Sequence, residues 1–331
     1  MHNRLNINML MVALAAIAVI GCETTTEPTE PTLPSPLAPT ALAAKSNNET
    51  SIGLKWTRSG ADTVKQTSFL IEYNAVGSMT KLTLPVTDTA ARTVTITGLT
   101  EGTIYEFVVY ALNDTVKSPA SPKVQWAPAR RGENVPPYRL YSSASSSQGS
   151  GLGIFRAVGA PSVLTISSGG EWDLCFDDKE SGNPKIGSPG QSNYVDANYA
   201  FPNGQVAKTV YFSDAVYVNA SSLDDIYESE ALTLPGSNGE KMFPINALPD
   251  SESGIAFVMG TRDETTKKYN FAKVLLKKQA TGGYIQGSGA SSYVEVQISY
   301  QTVNDVPYAV KAKFDQLLQS ARTTPRKPAG E

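Results

Sequence analysis

Short runs of alternating apolar and polar residues are the feature that most limits what this chain can fold into. Each run places its apolar residues on one face of a strand. The three sets are Ile52, Leu54 and Trp56; Phe69, Ile71 and Tyr73; and Tyr105, Phe107, Val109 and Ala111. A period of two puts alternate side chains on one face of an extended strand. Because turn residues such as Gly60, Gly77 and Gly102 separate the runs, residues 38–127 are predicted to form an antiparallel sandwich.

The second part of the chain, residues 138–308, is also predicted to be β. Its clearest strand is 293–300, where Val294, Val296 and Ile298 alternate with polar residues, as expected of a strand with one wet face. Between 308 and 322 apolar residues recur at helical spacing, which indicates a short amphipathic helix. The predicted fold class is therefore all-β: a sandwich, then a larger, mostly antiparallel β domain with a short C-terminal helix.

The segment LTEGTIYEFVVYALN, residues 99–113, resembles the signature of the fibronectin type III family. That signature has Leu, a Pro-Gly-Thr turn, Tyr, and then alternating apolar residues ending in Ala-x-Asn. Trp56 matches the core tryptophan of the family, and Glu101 stands where the family usually has proline. The resemblance implies that Trp56 and Tyr105 are structural core residues, with the Tyr105 hydroxyl bonded to the backbone just upstream.

Three blocks of the second part resemble the HmuY-like family of bacterial haem-binding lipoproteins. They are WDLCF with the GNPKIGSPG turn (172–176 and 182–190), FVMGTRD with YNFAKV (257–263 and 269–274), and ISYQ (298–301). The resemblance implies a β domain with Trp172 in its structural core. Members of that family hold haem with two axial histidines, and this domain has none, so no ligand residue is carried over.

The N-terminus has the layout of a bacterial export signal. Arg4 precedes an apolar run from Met9 to Ile20, which is too short to span a bilayer. The run ends in Gly21 and Cys22, which resembles the lipobox of lipoproteins and implies lipidation of Cys22. The expected location is the bacterial cell envelope, as an outer membrane lipoprotein; an ordinary secretory signal is the alternative.

Changes in composition along the chain indicate where its segments begin and end. The predicted segments are the signal peptide 1–21, a tether rich in Thr, Pro and Glu at 22–37, the fibronectin type III domain 38–127, a linker 128–137, the HmuY-like β domain 138–308, and a helix with a disordered tail at 309–331. Proline and charge without apolar residues are typical of solvated spacers.

The lack of histidine after position 2 excludes several kinds of catalytic and metal-binding site. His2 is the only histidine and lies in the predicted signal peptide, so triad catalysis and histidine-ligated zinc are excluded for the mature chain. No catalytic residue and no metal site are predicted. The cofactor is unknown; haem would need other axial ligands, for which Met242 and Met259 are the candidates. The alternative for both methionines is simple packing.

We expect a non-enzymatic, lipid-anchored binding protein whose fibronectin type III spacer presents the second domain to haem or another porphyrin, or to a surface partner. A histidine-free carbohydrate-active enzyme or a glycan-binding adhesin is the alternative, because carboxylates alone can hydrolyse glycosides. Expected partners are the membrane, through the anchor, and a surface protein, a glycan or a small molecule. A net charge of -3 excludes nucleic acid. Candidate pocket tyrosines are Tyr194, Tyr199, Tyr217 and Tyr284.

Overall fold

The computed structural model describes residues 33–132, 135–212, 217–228, 240–280 and 282–306. Over these residues the secondary structure is almost entirely β, which confirms the predicted fold class. Cys22, the predicted signal peptide, nearly all of the tether and the predicted helix and tail at 309–331 lie outside the described residues. Within the described part, no helix is both long enough and apolar enough to cross a membrane.

The first half of the described chain, residues 33–127, forms two antiparallel sheets. Its strands are β1 (Thr40–Asn48), β2 (Ser51–Thr57), β3 (Ser68–Ala75), β4 (Leu82–Val86), β5 (Thr93–Ile96), β6 (Tyr105–Asn113), β7 (Val116–Lys117) and β8 (Val124–Trp126). One sheet has the order β1-β2-β5, and the other has the order β4-β3-β6-β7 with β8 also paired to β6. The alternating side chains of both sheets face each other and form one core.

Two aromatic residues organise that core. Trp56 is 1% exposed, and its ring meets Phe69 edge to face at 5.2 Å. The Tyr105 ring is buried, and its hydroxyl accepts a hydrogen bond from the backbone N–H of Thr100 at 3.1 Å. This contact has the geometry of a tyrosine corner, in which a ring closes the core edge while its hydroxyl holds the preceding turn.

The second half, residues 138–306, also forms two antiparallel sheets. The strand Arg130–Arg131, which precedes this half, joins the larger of the two. The strands are β9 (Arg130–Arg131), β10 (Tyr138–Tyr141), β11 (Gly151–Gly153), β12 (Ser162–Leu164), β13 (Leu174–Asp177), β14 (Lys185–Gly187), β15 (Thr209–Phe212), β16 (Tyr217–Val218), β17 (Met242–Pro244), β18 (Gly254–Arg262), β19 (Tyr269–Lys277), β20 (Ile285–Gln286) and β21 (Tyr293–Tyr300). Short 3-10 helices lie at Ile166–Glu171, Pro189–Gln191, Leu223–Asp225, Ile245–Ala247 and Gly289–Ser291.

The larger sheet has the order β10-β21-β19-β18-β15, with β9 and β20 paired to β21 and β16 paired to β18. The smaller sheet has the order β12-β11-β13-β14-β17. Their facing side chains form a second core. Beside it Trp172 is fully buried between Tyr194 and Phe201. The Trp172 ring also lies close to the backbone of Gly151, where a Cβ atom would come within 2.0 Å of it.

The two halves share core residues and backbone pairing. Tyr211, Tyr269 and Phe271 of the second half belong to the same buried cluster as Trp56 and the rest of the first core. Strand β9, within the predicted linker 128–137, pairs with the end of β21. A further bridge joins Ala44 to Glu228, and the Gln301 side-chain amide donates to the carbonyl of Pro128. The segment between the halves is thus hydrogen-bonded into the larger sheet.

Candidate functional site

One candidate surface site among the described residues is a groove beside the junction of the two halves, which we call the Phe155 groove. Its first chamber, of about 440 Å³, is lined by Arg130, Phe155, Arg156, Asn270, Tyr300 and Thr302, among others. Its second chamber, of about 380 Å³, is lined by Val206, Lys208, Thr261, Arg262, Asp263 and Glu264. Phe155 and Asn270 line both chambers. Each volume falls in the usual range for small-molecule sites.

The backbone of Phe155 is fixed by a buried carboxylate. Asp173 is fully buried, and its Oδ2 accepts hydrogen bonds from the N–H groups of Ile154 at 2.6 Å and Phe155 at 2.8 Å. Lys208 donates to both oxygens of Asp173, at 3.0 and 3.1 Å, and to the Phe155 carbonyl at 2.8 Å. The N–H and the carbonyl of Phe155 are therefore both held, and charge-assisted bonds of this kind are the strong ones.

Tyr300 lies beside Phe155 in the first chamber. Its ring meets that of Phe155 at 6.2 Å with an interplanar angle of 70°, an edge-to-face contact. Partial burial raises the pKa of the Tyr300 phenol, so it is a neutral hydroxyl at physiological pH. The two half-buried rings give the first chamber a preformed aromatic wall.

Asn270 lies between the chambers. Its side-chain amide donates to the carbonyls of Gln301 at 3.3 Å and Thr302 at 3.4 Å. These contacts fix the orientation of the amide, and among the described residues no donor reaches its Oδ1. In the second chamber Thr261 is 5% exposed and its hydroxyl has no hydrogen-bond partner within the described part of the chain. Both oxygens have unused hydrogen-bonding capacity.

Every cation of the groove has a carboxylate partner. Ion pairs join Arg130 to Glu101 (2.8 Å), Arg156 to Glu171 (2.7 Å), Lys208 to Asp173 (3.0 Å) and Arg262 to Glu264 (3.9 Å). The hydrogen bond from Nε of Arg130 to Glu101 raises the pKa of that guanidinium further. The groove is consequently rich in fixed donors and has no unbalanced positive charge.

Glu101 also ties the first half to the edge of the groove. Its carboxylate accepts from Arg130 and, at 2.7 and 3.1 Å, from the hydroxyl and backbone N–H of Thr302. Burial alone would raise the pKa of Glu101, but these hydrogen bonds outweigh it and hold the pKa below its usual value. The adjacent Gly102 has φ +76°, and a Cβ there would come within 2.4 Å of Val303.

Two carboxylates line the second chamber. Backbone N–H groups of Thr266 and Thr265 lower the pKa of Asp263. Burial acts to raise the pKa of Glu264, but hydrogen bonds from Thr209 and Lys267 outweigh it, so that pKa is also lowered. A general acid at neutral pH needs the opposite shift, so neither group has the protonation that a glycosidase acid requires.

The methionines singled out from the sequence lie elsewhere. Met259 is fully buried in the second core, on β18 opposite Ala272 and Phe212. Met242 is half-buried on β17 and packs against the Trp172 cluster. The structure places them in different clusters, and neither lines the Phe155 groove.

The remaining residues considered in the sequence have structural contacts. Cys175 is fully buried, and burial raises the pKa of its thiol. Tyr194 and Tyr284 are buried, and their hydroxyls donate to the carbonyls of Phe176 and Pro249. Tyr199 is half-buried, and the side chain of Tyr217 lies outside the described residues. No group of three or more His, Cys, Asp or Glu side chains suited to a metal occurs in the described ranges.

Sequence reasoning missed Phe155, Tyr300, Asn270 and Arg130 as a group. They come from four separated stretches of the chain, and only the pairing of β9 and β19 with β21 brings three of them to one end of the larger sheet. One local signal was present: Glu101 replaces the proline usual in fibronectin type III domains, and it is the residue that binds Arg130 and Thr302.

Comparison with known proteins bears on the first half. The family model described as "Fibronectin type III domain" matches residues 37–133. The FN5 domain of Drosophila Lar is 22% identical over 28% of this chain and 96% of its own, with a TM-score of 0.24. An FN3 domain of human collagen XX is 21% identical over 30% of this chain and 97% of its own, with a TM-score of 0.25. No curated protein matches the chain. The predicted fibronectin type III segment is confirmed.

Proposed function

We propose that this chain is a non-enzymatic binding protein of the bacterial cell envelope, anchored by lipid at Cys22. In this proposal the fibronectin type III domain holds the second half in a fixed position, and the second half binds a ligand in the Phe155 groove. The main observation in its support is that the backbone N–H of Phe155 is hydrogen-bonded to Asp173 and its carbonyl to Lys208. Preorganised walls of this kind lower the entropic cost of binding.

The non-enzymatic part of the proposal is supported by the protonation of the groove. Asp263 and Glu264 have lowered pKa values, whereas retaining and inverting glycosidases both need one carboxylic acid that is protonated near neutral pH. The mature chain also supplies no histidine to act as a base.

The resemblance of residues 138–308 to the HmuY-like family keeps haem among the ligands to be tested. The buried position of Met259 and the packing of Met242 against the Trp172 cluster argue against thioether ligation in the groove. A porphyrin in the groove would therefore be held without a methionine ligand to its iron.

Exchange of Cys22 for serine is expected to abolish the lipid anchor, because the lipidated thiol is lost. Cell fractionation followed by immunoblotting should find the wild-type protein in the membrane fraction, and the variant soluble or with an uncleaved signal. The matched control is Cys175→Ser, whose thiol is buried in the second half. A variant at position 22 that fractionates and is processed like wild type would contradict the anchor.

The binding function is tested by thermal shift of the full-length protein with a panel of haemin, anionic oligosaccharides and neutral oligosaccharides. At least one class is expected to raise the Tm of the wild type, because a ligand that binds only the native state stabilises it. The Phe155→Ala variant should lose that shift while keeping a folded transition. Conversion of any oligosaccharide into products would refute the non-enzymatic assignment, and a shift that survives in the variant would place binding elsewhere.

A further inference from the structure

The charge balance of the Phe155 groove limits the class of its ligand. Arg130, Arg156, Lys208 and Arg262 each have a carboxylate within ion-pair distance. These carboxylates balance the four cations, so an anionic ligand would meet no excess of positive charge, and Asp263 would repel it from the rim of the second chamber. A positively charged field that could pull in an anion is therefore missing from this part of the surface.

Arg130, Asn270 and Tyr300 line the first chamber, and each has hydrogen-bonding capacity left for a ligand. The terminal amino groups of Arg130 have no acceptor among the described residues, since its Nε makes the bond to Glu101. Asn270 Oδ1 supplies an acceptor between the chambers, and Tyr300 supplies a hydroxyl. A hydroxyl group of a ligand can both donate and accept, so a polyhydroxylated molecule could satisfy all three.

The aromatic wall favours a ligand with apolar faces as well as polar edges. Phe155 and Tyr300 meet at 6.2 Å and both line the first chamber. Sugar rings present C–H groups on their faces and hydroxyls at their edges, which matches an aromatic wall bordered by guanidinium and amide groups. The two chambers share Phe155 and Asn270, so linked sugars could occupy both.

We propose that the Phe155 groove binds a neutral oligosaccharide. The faces of the sugar lie against Phe155 and Tyr300, and its hydroxyls bond to Arg130 and Asn270. This inference rests on the proposed binding function and narrows it to one chemical class. It requires no reaction of the sugar, and the bound molecule is released unchanged.

The test is isothermal titration calorimetry of the full-length protein in a detergent without a sugar headgroup. The neutral probes are the hexasaccharides of cellulose, xylan, mannan and chitin; the anionic probe is a galacturonic acid hexamer, and haemin is followed by absorbance. At least one neutral hexasaccharide is expected to bind with a Kd below about 1 mM. Tyr300→Ala is expected to weaken that binding about tenfold or more, and Tyr300→Phe much less, because the ring face is retained.

Two further variants make the test specific. Tyr293→Ala is the matched control, because Tyr293 is also a half-buried tyrosine of β21 but packs against Tyr141 and Arg139, away from the groove. If Tyr300→Ala does not fold, Arg130→Gln replaces it, because Arg130 has an exposed side chain whose loss costs little stability. Arg130→Gln is expected to weaken the same sugar several-fold by removing a two-pronged donor.

The possible results distinguish failure of the neutral-sugar inference from failure of the proposed binding function. Binding of a neutral sugar that Tyr300→Ala or Arg130→Gln weakens and Tyr293→Ala does not supports the inference. Binding only of haemin or of the anionic hexamer, lost in the same variants, overturns the neutral-sugar inference and leaves the binding function intact. Sugar binding that no groove variant weakens overturns the assignment to this groove. Absence of binding by every probe overturns both proposals.

Discussion

Replacement of Trp56 by alanine is expected to lower the free energy of unfolding by about 3 to 5 kcal/mol, because it removes a large, buried aromatic side chain and leaves a cavity. Trp56 is 1% exposed and packs against Phe69 at 5.2 Å. The loss should be measured by chemical denaturation of the full-length protein, followed by circular dichroism. A loss of this size is a large share of the stability of an ordinary domain.

The same variant tests whether the two halves unfold together. Tyr211, Tyr269 and Phe271 belong to the cluster that contains Trp56, so probes of either half should shift to lower denaturant concentration together. The control is Trp56→Phe, which retains most of the aromatic volume and should lose less stability. A Trp56→Ala protein with the wild-type midpoint would show that the buried position assigned to this ring is wrong.

Exchange of Lys273 for methionine is expected to cost about 3 to 5 kcal/mol, because it leaves a buried carboxylate without its counter-charge. Lys273 and Glu228 are each 4% exposed and form an ion pair at the junction of the halves. Burial raises the pKa of Glu228, and Lys273 opposes that rise. Thermal and chemical denaturation at neutral pH would measure the loss.

The double variant Lys273→Met with Glu228→Leu is the matched control, because replacing both charges with apolar groups is often close to neutral. The sign of the pH effect is also fixed. A carboxyl whose folded pKa is raised binds protons more readily in the folded state, so the deficit of Lys273→Met should shrink as the pH falls toward that raised pKa. A deficit that grows on acidification, or a double variant as unstable as the single one, would show that the ion pair does not have this role.

The sequence was most informative where neighbouring residues decide the structure. Alternation predicted strands at 52–56, 69–73 and 105–111, and all three are strands. The family signature at 99–113 corresponds to the turn and strand in which the Tyr105 hydroxyl accepts from Thr100. These features depend on contacts over a few residues, and a local pattern is sufficient to encode them.

The groove could not be predicted in the same way. Tyr300 ends a strand whose alternation indicates one wet and one dry face, and nothing in that pattern shows which residues from other strands will meet it. Phe155 is placed by Asp173 and Lys208, which lie 18 and 53 positions away in the chain. The proline and charged residues of 128–137 indicated a spacer, since that composition is typical of spacers. Arg130 and Arg131 instead pair with β21, and this pairing depends on residues about 170 positions later in the chain.

Glu101 limits the exchange of this fibronectin type III domain for one from another protein. Domains of this kind are commonly treated as units that can be replaced or repeated. Here the turn that carries Glu101 is shaped to a neighbour: its carboxylate binds Arg130 and Thr302, and Gly102 leaves room for Val303. A fibronectin type III domain with the more common proline at this turn would lack the carboxylate that binds Arg130 and Thr302. This domain and the second half are therefore expected to be inherited as a pair.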